Sequence, residues 1–256
     1  MHKPLFILAA FLVSFAGSDL QSWQSPEYIE KAFIEIALKD EYRSTQMRVS
    51  KWERPIRYTF VYRHLSSYAP FEKMVHMHMT QLMDITGHSI DYTDQTDHAN
   101  FKIVVTKDQY YQQTIERFTH AKIPDLSKET NCMATIHHNA RHAIDQAVVV
   151  IPIDYAVTHA TLPACIVEEL TQSMGLPNDS DWVYPSIAND ASKIELLSGL
   201  DYILLKLLYS PELKAGMPLE QTRKVIRKEI HKLAESGEIA RANQIVKQKG
   251  LYPLLN

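Results

Sequence analysis

Seven glycines in 256 residues are few, and none falls in a G-x-G-x-x-G or G-x-x-x-x-G-K-[ST] pattern, so the glycine-rich loops that cradle nucleotide phosphates are excluded. An excess of charge of one sign is also lacking. The 27 basic and 30 acidic side chains leave a formal net charge of −3, which gives nucleic acid no basic footprint to bind. Beyond the N-terminal run, no segment is apolar enough to cross a bilayer. Cysteine is limited to Cys132 and Cys165. What remains, 45% hydrophobic and 22% charged, is the composition of a globular protein long enough to bury a full core.

The N-terminus reads as an export signal. Met1-His2-Lys3 leads into an apolar run over residues 4–16, shorter than the roughly 20 residues a bilayer span needs. Ala16-Gly17-Ser18 offers small residues for cleavage after Ser18, and no cysteine is placed there to take a lipid. Residues 1–18 are therefore expected to be a signal peptide, and the mature chain, 19–256, to be periplasmic or secreted without a transmembrane segment. An uncleaved anchor is the alternative. In an oxidising compartment Cys132 and Cys165 pair by default, two buried free thiols being the other reading.

Ser25-Pro26-Glu27 opens a helix, with Ser as cap and Pro in the first turn, running to about Tyr42. Residues 54–63, 100–107, 131–139 and 147–153 read as strands, the last two linked through 139–142. A helix over 71–85 ends at Gly87, and another over 108–118 is capped by Asp108. Thr161-Leu162-Pro163 introduces a further helix, and 199–209, 218–233 and 237–247 complete a helical final third. The order predicts an α+β fold in one domain over 19–256, with a helical C-terminal extension at about 218–250.

The stretch with most chemistry lies at 165–190, where Glu168-Glu169-x-x-Gln172-x-x-Gly175-x-x-Asn178 stands. On a helical wheel Ile166, Val167, Leu170 and Met174 form an apolar stripe, and Cys165, Glu168, Glu169 and Gln172 fall opposite. Glu168 and Gln172, four apart, sit one above the other. The spacing resembles the zincin motif H-E-x-x-H-x-x-G-x-x-H, with its three histidines replaced and its second-position glutamate (Glu169) and glycine (Gly175) kept. Ser186-Ile187-Ala188-Asn189-Asp190 resembles the Ser-Ile-Met-Asn segment downstream in many zincins. Leu197-Ser198-Gly199-Leu200-Asp201-Tyr202 resembles their Leu-Thr-x-x-Asp helix start, and Ser198 and Asp201 have capping-box spacing in their own right.

More narrowly, the chain resembles an exported bacterial family called domain of unknown function 2927, described as predicted secreted zinc-dependent proteases. Ala37-Leu38, Glu41-Tyr42, Lys51-Trp52, Cys165, Glu168-Glu169, Gln172, Gly175-Leu176, Asn178-Asp179 and Gly216-Met217 carry that likeness over nearly the whole mature chain. The resemblance implies a zincin-like domain with a small mixed sheet, whose edge strand lies beside the motif helix to receive a peptide. It puts Glu168, Gln172 and Asn178 at the metal positions and makes Glu169 the general base, with Glu168 as a second carboxylate for acid–base work. Gly175 lets the chain turn back.

Zinc prefers nitrogen and sulfur donors, so it is not expected through Glu168, Gln172 and Asn178; a hard cation such as calcium suits oxygen donors better. Two functions follow. One is a non-catalytic module binding peptide or cell-envelope material. The other is a secreted peptidase-like hydrolase using Glu169 around an altered, oxygen-rich metal or water site. An exposed polar helix face would show the same composition. Of the remaining candidates, His137, His138 and His142 near Cys132 read as a polar edge strand rather than a Cys/His metal site. His76 and His78 read as surface residues, Asn178-Asp179-Ser180-Asp181 as a turn rather than a calcium loop, and Arg223, Lys224, Arg227 and Lys228 as a solvated helix face.

Overall fold

The computed structural model describes residues 22–39, 47–119 and 130–255. The export signal, and Glu41-Tyr42 at the expected end of the first helix, lie outside them. Helix α1 (Pro26–Leu38) starts as Ser25-Pro26 predicts: Ser25 Oγ accepts from the Tyr28 N–H at 3.2 Å, and proline has no N–H to leave orphaned.

Six strands among the described residues form one mixed sheet: β1 (Lys51–Trp52), β2 (Ile56–Tyr62), β3 (Ile90–Tyr92), β4 (Phe101–Thr106), β5 (Met133–His138) and β6 (Ala143–Pro152). The order β1-β6-β4-β2-β3 is parallel throughout, and β5 pairs antiparallel with β6. The expected link at 139–142 is a tight turn in which Asn139 Oδ1 accepts from Arg141 N (2.8 Å) and Ala143 N (3.2 Å). β6 starts earlier than periodicity suggests and stops at Pro152, where Ile153 opens helix α4 (Ile153–Thr158). β1 and β3 are too short to show an alternation, which is why the sequence does not reveal them as strands.

Alternate residues of the central strands enter separate cores, as a period of two requires. Ile103, Val105, Val149 and Ile151 join the main core, whereas Val104, Val148 and Val150 pack with Tyr111 and Ile115 of α3 (Tyr111–Thr119). Helix α3 does not begin with an Asp108 cap. A 3-10 turn over Asp108–Tyr110 precedes it, and the Asp108 N–H donates to Asp154 Oδ1 at 2.8 Å, so the carboxylate serving this turn comes from α4.

The main core is closed by α1, α2 (Ala69–Thr86), α5 (Leu162–Gln172) and α6 (Gly199–Leu208). Helix α2 ends at Gly87 in the left-handed region (φ 66°), whose N–H bonds Met83 O. Apart from Asp201 and Lys206, helix α6 is apolar and accordingly buried, Leu200, Ile203, Leu204, Leu205, Leu207 and Leu208 being inaccessible. Helices α7 (Leu219–Glu235) and α8 (Glu238–Val246) follow, and α9 (Tyr252–Leu255) ends the described chain. α7 packs on α1 and α8 on α6. On the basic face of α7, Lys224, Arg227 and Lys228 are exposed as expected and Arg223 is half-buried, and Arg227 makes a two-pronged surface contact with Glu30 of α1 at 2.7 and 2.9 Å. No helix among the described residues is long and apolar enough to cross a membrane.

Cys132, just ahead of β5, is bonded to Cys165 on α5 with Cα atoms 5.8 Å apart, so the edge strand is stapled alongside the motif helix. The bridge spans a sequence separation of 33, a loop whose closure removes roughly 3–4 kcal/mol of chain entropy from the unfolded state. Replacing both cysteines by serine is expected to lower the unfolding free energy by about that amount in urea titrations; an unchanged midpoint would contradict the assignment.

Candidate functional site

The motif helix α5 has Pro163 in its first turn and Cys165, Ile166, Val167, Glu169, Leu170 and Thr171 buried. The side the wheel places opposite the apolar stripe is thus partly covered, because the staple brings β5 against it. Cys165 is 2% and Glu169 6% exposed, while Glu168 and Gln172 are half-buried.

The end of α5 is fixed by a close backbone approach. Gly175 adopts φ +110°, and a Cβ there would lie 2.0 Å from Ser50 O, so no other residue fits without moving the backbone. Trp52 Nε1 donates to Ser173 O at 2.9 Å and the Tyr209 hydroxyl to Met174 O at 2.9 Å. The chain then turns, and Asn178 N reaches Ile36 O of α1 at 3.2 Å.

Beyond this turn the loop returns on itself. Ser180 and Asn189 form a parallel bridge, with Ser180 N donating to Ala188 O at 2.8 Å. Asp179 and Asp190 lie beside this bridge, and carboxylate oxygens of Glu168, Asp179 and Asp190 lie within 4.8 Å of one another. Gln172 Nε2 donates to Asp179 Oδ1 at 2.6 Å. Asn178 is buried, and its amide donates to Asp179 O at 2.7 Å. Of the residues at the expected metal positions, Glu168 contributes a carboxylate to this trio, Gln172 bonds one of its members, and Asn178 is tied to the backbone beside it. Glu169 is not among the three.

Asp190 is the residue that sequence reasoning did not single out. It follows the Ser-Ile-x-Asn segment directly, and its approach to Asp179 depends on how the loop folds back on itself, which no local pattern signals. The segment is anchored by Asp201. Its carboxylate accepts from Ser186 Oγ (2.6 Å), Ile187 N (3.2 Å) and Ser198 N (2.7 Å), while Ser198 Oγ accepts from Asp201 N at 3.1 Å. The capping box expected at Ser198 therefore also clamps the loop. Burial pushes the Asp201 carboxyl up, and the hydrogen bonds from Ser186, Ser198 and Ile187 pull the other way.

Chemically, the trio is an all-oxygen set. It supplies no nitrogen or sulfur donor, so it does not fit the usual zinc site, and its carboxylates match the hard-cation preference instead. The alternative Cys/His site near Cys132 is not formed, since both sulfurs are in the disulfide.

The two α2 histidines are not surface residues. His78 is fully buried, with Nε2 3.1 Å from Thr171 Oγ1 in the motif helix. His76 is half-buried, its Nδ1 2.5 Å from the Tyr58 hydroxyl. α2 packs on both β3 and α5, which covers more of its circumference than one amphipathic stripe would.

Compared with known proteins, the chain is matched over residues 26–228 by the model of a family described as Protein of unknown function (DUF2927). No curated protein and no solved structure matches it.

Burial pushes the His78 imidazole from 6.5 down to about 4. The unfolded chain therefore takes up this proton first, and stability is lost as pH falls below 6.5 until the folded pKa is passed. Between pH 7 and about 4.5, His78 is expected to remove roughly 2–3 kcal/mol. Urea unfolding at both pH values, on the parent and on His78→Gln, would check this; a pH dependence that the substitution leaves intact would refute it.

Proposed function

The chain belongs to the DUF2927 family, and on that premise we propose that it is an exported, zincin-like binding module without a zinc site, which takes an extended peptide or a peptide-bearing cell-envelope component along β5. The observation that carries this reading is β5 itself. Among the described residues its one strand partner is β6, antiparallel to it, and it packs against the motif helix, to which the Cys132–Cys165 bridge secures it. A strand paired on one side offers backbone donors and acceptors to an added peptide strand. The oxygen-only surroundings of Glu168 support a non-catalytic role, because zinc chemistry needs donors that the trio lacks. Export is supported by the disulfide, which persists in oxidising compartments.

A second reading is favoured by the convergence of Glu168, Asp179 and Asp190: a hydrolase with a hard cation, such as calcium, at these carboxylates and Glu169 as general base. Like charges brought this close favour a cation among them.

Four measurements separate the readings. Protein purified without chelator is expected to hold no stoichiometric zinc and to leave peptides uncleaved, while extended peptides slow amide hydrogen exchange along β5. Stoichiometric zinc, or peptide hydrolysis that Glu169→Gln abolishes, would overturn the non-catalytic reading. Saturable calcium binding that Asp190→Asn removes would favour the second.

A further inference from the structure

A cavity of about 430 Å³ opens where β1, the turn after α2 and the segment following α6 meet. Its size falls in the range of small-molecule sites, roughly 300–1,000 Å³. Its charged lining comes from three separate parts of the chain: Lys51 on β1, His88 after Gly87, and Lys214 beyond α6, with Glu53 as the carboxylate among the lining residues.

Lys51 is the unusual member. The residue is only 8% exposed, yet its ammonium has one acceptor among the described residues, Leu213 O at 3.1 Å, and otherwise lies 4.9 Å from the Tyr209 ring centroid. An ammonium carries three donors, and a buried cation without a counter-charge is costly. Glu53 does not supply that charge as a salt bridge. It is exposed, and its Oε1 accepts from Ala215 N at 3.3 Å.

Burial first, and then the Lys214 charge, push the Lys51 ammonium down to about 8, with Glu53 opposing. Burial also pushes His88 down, and Lys51 adds to that, although the Arg54 carbonyl, 2.8 Å from its Nε2, acts in the other direction. The charged forms of Lys51 and His88 are thus disfavoured by their surroundings, which one negative group placed among them would reverse. Tyr209 and Pro211 present accessible aromatic and aliphatic surface, suited to the body of an organic molecule rather than to a bare ion.

We propose that this cavity binds a small organic anion, whose carboxylate or phosphate headgroup meets Lys51 and Lys214 and whose apolar part rests on Tyr209 and Pro211. The site is separate from the acidic trio, and it does not depend on the peptide-binding reading. It does touch the same scaffold, because Trp52 and Tyr209 also hold the end of α5 through Ser173 O and Met174 O.

Inorganic phosphate and acetate, titrated against the full mature chain at constant ionic strength with chloride as reference, would test this by calorimetry and by His88 ring resonances. One of the two is expected to bind saturably and to raise the His88 pKa; phosphate alone assigns a phosphate headgroup, and acetate alone a carboxylate. Lys51→Met should weaken that binding by about tenfold or more, the scale of a charge-assisted hydrogen bond. Should that buried substitution unfold the chain, Lys214→Gln at the exposed rim decides, with weaker binding and a smaller His88 response expected. Failure of both anions to saturate, or unchanged binding in Lys214→Gln, overturns the proposal.

Discussion

The contact on which the site depends is the approach of Gly175 to the Ser50 carbonyl. A side-chain carbon cannot fit in that space, so helix α5 ends against the strand register set by β1. Trp52 and Tyr209 reinforce the junction with hydrogen bonds to the last carbonyls of the motif turn, groups that a helix end would otherwise leave without partners. Parallel pairing carries β1 onto β6 and β6 onto β4, and antiparallel pairing carries β6 onto β5. The motif helix is thereby referenced to the sheet at its exit by backbone contact and near its entrance by the disulfide.

Given that frame, the chemistry of the site is a matter of which atoms the side chains present. Glu168 and Gln172 project from one face of α5, and the loop returns Asp179 and Asp190 to meet them. The positions of these groups come from helix spacing, the turn at Gly175 and the loop that follows, whereas the chemistry comes from the side chains. Fold and reaction are separable in this way for many scaffolds. The buried His78 next to Thr171 shows another side of the arrangement: a titratable group is kept neutral under the motif helix, where it contributes to packing and not to charge.

Much of the fold was legible because local signals agreed with tertiary ones. Ser25-Pro26, Gly87 and the Ser198–Asp201 pair mark helix ends by their capping chemistry, and the central strands are apolar runs of β-branched residues. The disulfide followed from the scarcity of cysteine and the expected compartment. What the sequence hid was non-local. β1 has two residues and β3 three, so their identity as strands comes from partners elsewhere in the chain. Asp154 rather than Asp108 serves the turn before α3 because β6 and α4 bring it there. Burial of His76 and His78 results from neighbours packing on more than one side of α2, whereas helical periodicity reports one face. Asp190 joins the trio because the loop after Gly175 folds back on itself, which leaves no periodic trace.

The clamp made by Asp201 has a consequence for binding itself. The segment between Gly175 and Ser198 is held at its start by Ser50, near its middle by the Ser180–Asn189 bridge, and at its close by Ser186, Ile187 and Ser198 around one carboxylate. Its conformational freedom has therefore been surrendered during folding. A ligand arriving at Asp179 and Asp190 need not order a loop, and more of its interaction energy is expressed as affinity.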